Sequence, residues 1–170
     1  QGRTTILNIN YRNTQQILHF ATNIAFDYLN DHIDETLKYN KPDAGGLYGQ
    51  YPMLVEFSDQ EKEINHIIEW LKKEADKGVN WSDMAILCPS TTVLSETLVT
   101  KLTDENIPFM LIKKPEDKKR YTPQSNTIAI IPLPSSKGLE FHSVAVMDSS
   151  YVREETDDLS DDIKRLYVGF

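Results

Sequence analysis

Cysteine is nearly absent: Cys88 stands alone among 170 residues. A single thiol excludes an internal disulfide framework and any zinc site built on cysteine pairs. His19, His32, His66 and His142 are the only histidines, scattered without metal-ligand spacing, so no metal site is read from them. Seven glycines and eight prolines are too few for collagen, a low-complexity linker or wholesale disorder. No apolar run approaches the roughly 20 residues of a membrane span. There is no GxxxxGK[ST] loop and no GxGxxG after a strand, so the chain does not hold a nucleotide triphosphate by the usual loops. No nucleophile motif points to a Ser/His/Asp or Cys/His set. The opening Gln1-Gly2-Arg3-Thr4 is neither a signal peptide nor a natural initiator. The chain reads as cytoplasmic, and as an excised piece of a larger protein.

Positive charge is also in deficit. Eighteen Lys and Arg face 26 Asp and Glu, a net charge of −8. That argues against a generic nucleic-acid coat protein, whose affinity comes mainly from basic residues neutralising phosphates. It leaves room for a domain that touches nucleic acid along one edge, because net charge describes the average surface and not a site.

What is present is an alternation of strand and helix patterns. Thr5–Ile9 predicts a strand. Asn13, with Gln16 three residues on, predicts a capped helix over 14–30, supported by Ile17, Ala21, Ile24, Ala25 and Tyr28 at helical spacing. Residues 31–50, with Pro42, Gly45, Gly46 and Gly49, read as loop. Met53–Phe57 predicts a strand. Ser58 or Asp59 then caps a helix carrying Ile64, Ile67, Ile68, Leu71 and Ala75, stopped at Gly78. Met84–Cys88 is an apolar run suited to a strand buried on both faces. Leu94, Leu98 and Leu102 mark a helix, and Ile107–Ile112 a strand. Lys113–Ser125 reads as a charged loop. Strands follow over Asn126–Ile131 and Val144–Asp148, and a helix over Leu159–Phe170. Strands alternating with helices of this length predict an α/β fold around a mostly parallel sheet.

Three short segments carry chemistry. Asn10-Tyr11-Arg12-Asn13-Thr14 lies between a strand end and a helix start, the edge where open α/β sheets bind ligands. Arg12 offers a planar fork for phosphate oxygens and Tyr11 an aromatic face for a base. The plainer reading is a surface ion pair and a half-buried tyrosine. Ser135-Ser136-Lys137-Gly138-Leu139-Glu140-Phe141 sets two hydroxyls, an amine, a glycine and a carboxylate between two strands, as a loop meeting a polar ligand would. The plainer reading is a solvated crossover. The closing Asp161-Asp162-Ile163-Lys164-Arg165-Leu166-Tyr167-Val168-Gly169-Phe170 reads by itself as an amphipathic helix with i,i+4 charge pairs. Gly45-Gly46-Leu47-Tyr48-Gly49 has neither a Lys-Ser/Thr pair nor a helix directly behind it, and reads as an ordinary loop rather than a phosphate cradle.

Together, in this order, these segments resemble the second RecA-like domain of UvrD/Rep-like superfamily 1 DNA helicases. NYRNT is similar to motif IV, SSKGLEF to motif V (usually HSAKGLEF) and DDIKRLYVGF to the start of motif VI. The resemblance implies a three-layer RecA-like fold without the Walker A loop, spanning 1–170 as one C-terminal motor domain. It implies ATP in a cleft shared with an N-terminal RecA-like domain that supplies the Walker loop and the Mg2+-binding carboxylates. It assigns Arg12 to the γ-phosphate as an arginine finger, Tyr11 to stacking on adenine, and Glu140 to a ribose hydrogen bond. Gly138 would admit the nucleotide to the backbone, and Lys137 would lie at the nucleotide or DNA edge. Ser135 and Ser136 would offer hydroxyls to a phosphate of single-stranded DNA. No membrane partner is implied.

The sequence also departs from the family pattern. Pro132 and Pro134 stand where motif V usually carries Thr and His, and the His is a DNA-backbone contact in the family. Asp161 and Asp162 replace motif VI glutamates, and Ile163 and Lys164 its Arg pair. The second arginine finger would fall just past Phe170. About 120 residues separate NYRNT from SSKGLEF, which implies that the large helical insertion of family helicases is reduced or absent. Lys113, Lys114, Lys118, Lys119 and Arg120 form a basic cluster, read first as a solvated loop and second as a DNA-backbone contact. The resemblance implies that the 170 residues alone neither hydrolyse ATP nor unwind DNA. The rival readings are a catalytically degenerate interaction module and an RNA-acting relative.

Overall fold

The computed structural model describes residues 12–29, 45–88 and 96–148, with 25–29 known through their backbone. The expected strand over Thr5–Ile9, the start of the 31–50 loop, Tyr11, Leu94 and the closing segment lie outside the described residues. The chain divides into two units near Val55.

In the first unit, helix α1 (Gln15–Leu29) buries Leu18, Ala21 and Thr22, which share one face at i, i+3 and i+4. Its cap is Thr14, one residue later than the capping box predicts. The Ile17 N–H donates to Thr14 Oγ1 at 3.4 Å, and Leu18 N–H donates to the Thr14 carbonyl. Gln16 is turned elsewhere: its Oε1 accepts from Gly49 N–H at 2.8 Å. The first helical N–H, of Gln15, donates to the Leu47 carbonyl. The glycine-rich segment therefore supplies partners to the start of α1, where N–H groups have none within the helix. Gly49 is required there, since a Cβ would stand 2.7 Å from Thr14 Cγ2.

Met53–Phe57 is not a strand. No strand pairs with it among the described residues, and Tyr51, Met53 and Leu54 are 74–80% exposed. A strand exists only by pairing its backbone with a neighbour.

The second unit is built on helix α2 (Gln60–Asp76), capped by Asp59, whose side chain accepts from Lys62 N–H. The helix ends through Gly78, at φ +93, as the sequence predicts. It buries Ile64, Ile67, Ile68 and Leu71. Strand β1 (Met84–Cys88) is buried throughout. Helix α3 (Glu96–Asp104) buries Leu98 and Leu102, and strand β2 (Phe109–Leu111) follows.

The expected loop after β2 is instead helix α4 (Pro115–Arg120) and a 3-10 turn over Pro123–Ser125. Pro115 sits in the first turn, where its missing N–H costs nothing. Asp117 Oδ2 accepts from the backbone N–H of Lys113 and of Lys114 at 3.1 and 3.0 Å. Acids open the helix and Lys118, Lys119 and Arg120 close it, complementing the helix dipole. Strands β3 (Ile128–Pro132) and β4 (Ser143–Val146) complete the sheet. Left-handed Asn126 and Asp148 set the outer limits of these two strands.

The sheet order is β2-β3-β1-β4, all parallel, the α/β class expected. Register places Leu111, Ile130, Ile86 and Ala145 in one row. That face packs against α2 and α3 in a single core of Ile64, Ile68, Leu71, Met84, Ile86, Leu98, Leu102 and Ile130. The opposite face carries Ala85, Leu87, Ala129 and Ile131, also buried. Ion pairs Lys101–Glu61 at 3.7 Å, between α3 and α2, and Lys72–Glu105 at 2.6 Å, from α2 to the residue after α3, lie at the surface, where such pairs contribute little.

Leu71 is fully buried in this core. Leu71→Ala removes its packing and leaves a cavity, and is expected to lower stability by about 2–5 kcal/mol. Denaturant unfolding of the variant beside the parent chain measures it; an unchanged midpoint would refute this account of the core.

Candidate functional site

A parallel strand must start at the same end of the sheet as its neighbours, so the segment 133–142 crosses from the end of β3 to the start of β4. It carries Ser135, Ser136, Lys137, Gly138 and Glu140. Its path is fixed by short bonds. Leu133–Ser135 form a 3-10 turn. Ser136 donates from both its N–H and its Oγ to the Leu133 carbonyl, at 3.1 and 2.8 Å. The Leu139 N–H donates to the Ser136 carbonyl, and the His142 N–H to the Asp83 carbonyl at 2.8 Å.

These bonds sort the predicted site residues. Leu133 and Ser136 are buried and anchor the turn. Ser136 is thus a structural hydroxyl whose proton is committed to its own backbone. Ser135, Lys137, Gly138 and Glu140 are exposed. Gly138 has φ +83, and nothing lies within 4 Å of the point a Cβ would occupy. Glycine is required there by backbone conformation, and the space beside it is open. Pro132 closes β3 and Pro134 lies in the 3-10 turn, so the two departures from motif V sit in well-formed backbone.

Helix α4 holds this crossover, a role that reading its residues as a loop missed. Lys118 Nζ donates to the Ser135 carbonyl at 3.2 Å and also to the Lys137 carbonyl. Tyr121, just past the helix, packs its ring edge-on against Phe141 at 6.0 Å between centroids. Its hydroxyl lies 2.7 Å from the Ser82 carbonyl and 3.2 Å from the Thr127 carbonyl. Burial, reinforced by the negative charge of Asp83, pushes the Tyr121 phenol up to about 12. The signal was available: Pro115 followed by Asp117 marks a helix start.

Just past β4, the Asp148 N–H donates to Glu63 Oε1 at 2.6 Å. Burial raises the Glu63 carboxyl above its usual range, against the lowering effect of that bond. Cys88 is buried beside the Ile131 carbonyl, and burial raises its thiol to about 11, which removes it as a nucleophile at neutral pH. Among the described residues no group of three or more His, Cys, Asp or Glu is arranged to hold a metal ion. No helix among them is long and apolar enough to cross a membrane.

Arg12 belongs to the first unit, exposed in the bend ahead of Thr14 and α1. Residues 5–116 match the profile of the UvrD-like helicase C-terminal domain. The chain belongs to that family. The matched range includes Arg12 and ends within α4, ahead of the crossover. The crystal structure of the C-terminal domain of a possible DNA helicase from Lactobacillus plantarum WCFS1 is similar in fold, with a TM-score of 0.65 and 22% identity. The similarity covers 94% of this chain and 79% of that one. No curated relative matches the chain. A UvrD-like C-terminal domain therefore has the RecA-like fold expected of it, with a parallel sheet whose carboxyl edge leads into the Gly138 crossover.

The raised Tyr121 phenol favours the folded state while it stays protonated. That contribution is complete below pH 10, where the unfolded phenol is also neutral, and is lost as pH rises from 10.0 to about 12. Tyr121→Phe is expected to be less stable at pH 7 by about 1 kcal/mol and to lose less further stability between pH 10 and 12. Parallel alkaline denaturation curves would contradict the burial assigned to this hydroxyl.

Proposed function

We propose that this UvrD-like domain is the second RecA-like motor domain of an ATP-dependent DNA helicase or translocase, acting on single-stranded DNA. The observation that carries the reading is Arg12: an exposed arginine immediately ahead of α1, inside the range matched to the family. A phosphoryl group in transfer spreads charge over its oxygens, and catalysis is mostly positioning and electrostatic stabilisation. A planar, permanently charged fork suits that task. In this reading Arg12 stabilises the γ-phosphate and Tyr11 stacks on the base. Glu140 accepts from the ribose, and Gly138 leaves room for close approach to its backbone. Lys137 lies at the nucleotide or DNA edge, and Ser135 donates to a DNA phosphate. The exposure of Ser135, Lys137, Gly138 and Glu140 on one pinned segment supports this. The Ser136 hydroxyl, bonded to Leu133, contributes by holding the turn.

ATP bound with Mg2+ supplies the transferable phosphoryl group and a cation that neutralises its developing charge. The described residues include no acidic cluster fit for Mg2+, and the 170 residues contain no GxxxxGK[ST]. In this reading both are held mainly by the N-terminal RecA-like domain, and the 170 residues alone neither hydrolyse ATP nor unwind DNA. Pro132 and Pro134, in place of the usual Thr and His, favour one second reading: a RecA-like interaction module that has lost the motor.

The test is single-stranded-DNA-stimulated ATPase of the intact parent protein, wild type beside Arg12→Ala. The variant is expected to keep ATP binding and lose roughly 10²-fold in kcat, the scale of removing one transition-state charge partner. A wild type without DNA-stimulated hydrolysis would instead establish the interaction module.

A further inference from the structure

Lys118 reaches across 17 and 19 residues of sequence to the carbonyls of Ser135 and Lys137. These are alternate residues of the crossover, and one ammonium, with three donors and a full charge, draws both carbonyls toward α4. The peptide group is planar and trans, so a carbonyl and the N–H that follows it point to opposite sides. With the Lys137 carbonyl drawn to Lys118, the Gly138 N–H faces away from α4. Gly138 is exposed, and nothing lies within 4 Å of the point a Cβ would occupy.

The other restraints on the crossover do not do this. The Ser136 bonds to Leu133 fix the turn before it, and the His142 bond to Asp83 fixes its exit. Tyr121 holds Phe141 near that exit. The Leu139 N–H bond to the Ser136 carbonyl closes a turn around the 137–138 peptide, a closure that turns with either flip of that peptide share; Lys118, from outside the turn, bonds the Lys137 carbonyl and favours one flip.

We infer that Lys118 is a positioning residue: its ammonium sets the 137–138 peptide so that the Gly138 N–H and the flanking Lys137 side chain present together to a phosphate-bearing ligand. This rests on the nucleotide- and DNA-binding reading above. The shared chemistry is a phosphate oxygen, whether of ATP or of the DNA backbone. Lys118 does not touch the ligand. Its own charge is engaged by two carbonyls, and its effect passes through the peptide they belong to.

The experiment compares Lys118→Met and Lys118→Arg with wild type in the intact parent helicase. Amide exchange over residues 136–142 reads the clasp, and the KM for ATP, the half-saturating DNA concentration and kcat read its consequence. Lys118→Met is expected to exchange roughly tenfold faster across these amides, through easier local opening. One of the two ligand constants should rise about tenfold while kcat changes by less than about twofold. A shift in KM identifies the nucleotide as the phosphate source; a shift in the DNA constant identifies the strand. Lys118→Arg, which keeps charge and donors, should restore both readouts.

An active wild type whose Lys118→Met form keeps both ligand constants would overturn the inference and leave the motor reading standing. The same holds if Lys118→Arg is as impaired as Lys118→Met. A wild type with neither DNA-stimulated hydrolysis nor DNA binding would remove the motor reading, and this inference with it.

Discussion

Every strand of the sheet runs in the same direction, so every connection must carry the chain back across the sheet before the next strand begins. β1 reaches β2 through α3, and β2 reaches β3 through α4. The step from β3 to β4 has only residues 133–142 and includes no α-helix. A helix satisfies its own backbone groups and this crossover does not. Its N–H and C=O groups need outside partners, and the structure supplies them: the Asp83 carbonyl for His142, the Lys118 ammonium for Ser135 and Lys137. The lack of a helix is also what leaves Ser135, Lys137, Gly138 and Glu140 in solvent. An economy of connection thus produces the exposed polar segment that the functional reading uses.

The sheet can support such a segment because β1 and β3 are held from both sides. Their register places Met84, Ile86 and Ile130 against α2 and α3, and Ala85, Leu87 and Ile131 on the reverse face. A strand buried on both faces has few ways to shift, since a slip of one residue exchanges its two faces. Pro132 closes β3 at the point where the ladder ends, opposite Cys88, and the turn begins at once. The buried Ser136 hydroxyl, bonded to Leu133, then ties the first residues of the crossover to the strand that positions it.

What was legible in the sequence followed periodicity and local chemistry. The Ile64–Leu71 stripe, the Asp59 cap, the Gly78 stop and the unbroken apolar run of β1 each report on neighbours within a few residues, and each stands as read. The misses share a different cause. Met53–Phe57 has strand-like residues, but pairing is non-local, and no pattern in five residues states whether a partner edge exists. The first turn of α1 was misassigned by one residue because Asn13 and Thr14 are both good caps and Gln16 fits a capping box. Only the approach of Gly49, 33 residues away, shows where the Gln16 side chain goes. α4 was hidden by its charge. Five cations and two acids look like a solvated loop until Asp117 is seen bonding the two preceding amides. Within the crossover, a glycine at a tight turn was legible in residue type. The support of that loop by Lys118 was not, since the contact joins residues 17 and 19 apart in sequence.

The same helix bears on how a chain of net charge −8 presents itself to a polyanion. Counted along the sequence, Lys113–Arg120 is diluted by Glu116 and Asp117. In the fold these charges are not equivalent. Asp117 faces backbone amides at the start of α4, so its negative charge is partly offset by the donors it accepts from. Lys118 faces two carbonyls. Lys113, Lys114, Lys119 and Arg120 stay exposed, as does Lys137 on the crossover that Lys118 holds. Exposed cations within a Debye length of about 8–10 Å reinforce one another's field, while acids on more distant surfaces are screened. Lys118 ties α4 directly to the crossover that carries Lys137 and Glu140, so charge of both signs is presented there. An acidic composition therefore does not keep a UvrD-like domain from exposing cations locally. Net charge and local charge separate here because α4 places Lys118 against a crossover that, among the described residues, has no α-helix of its own.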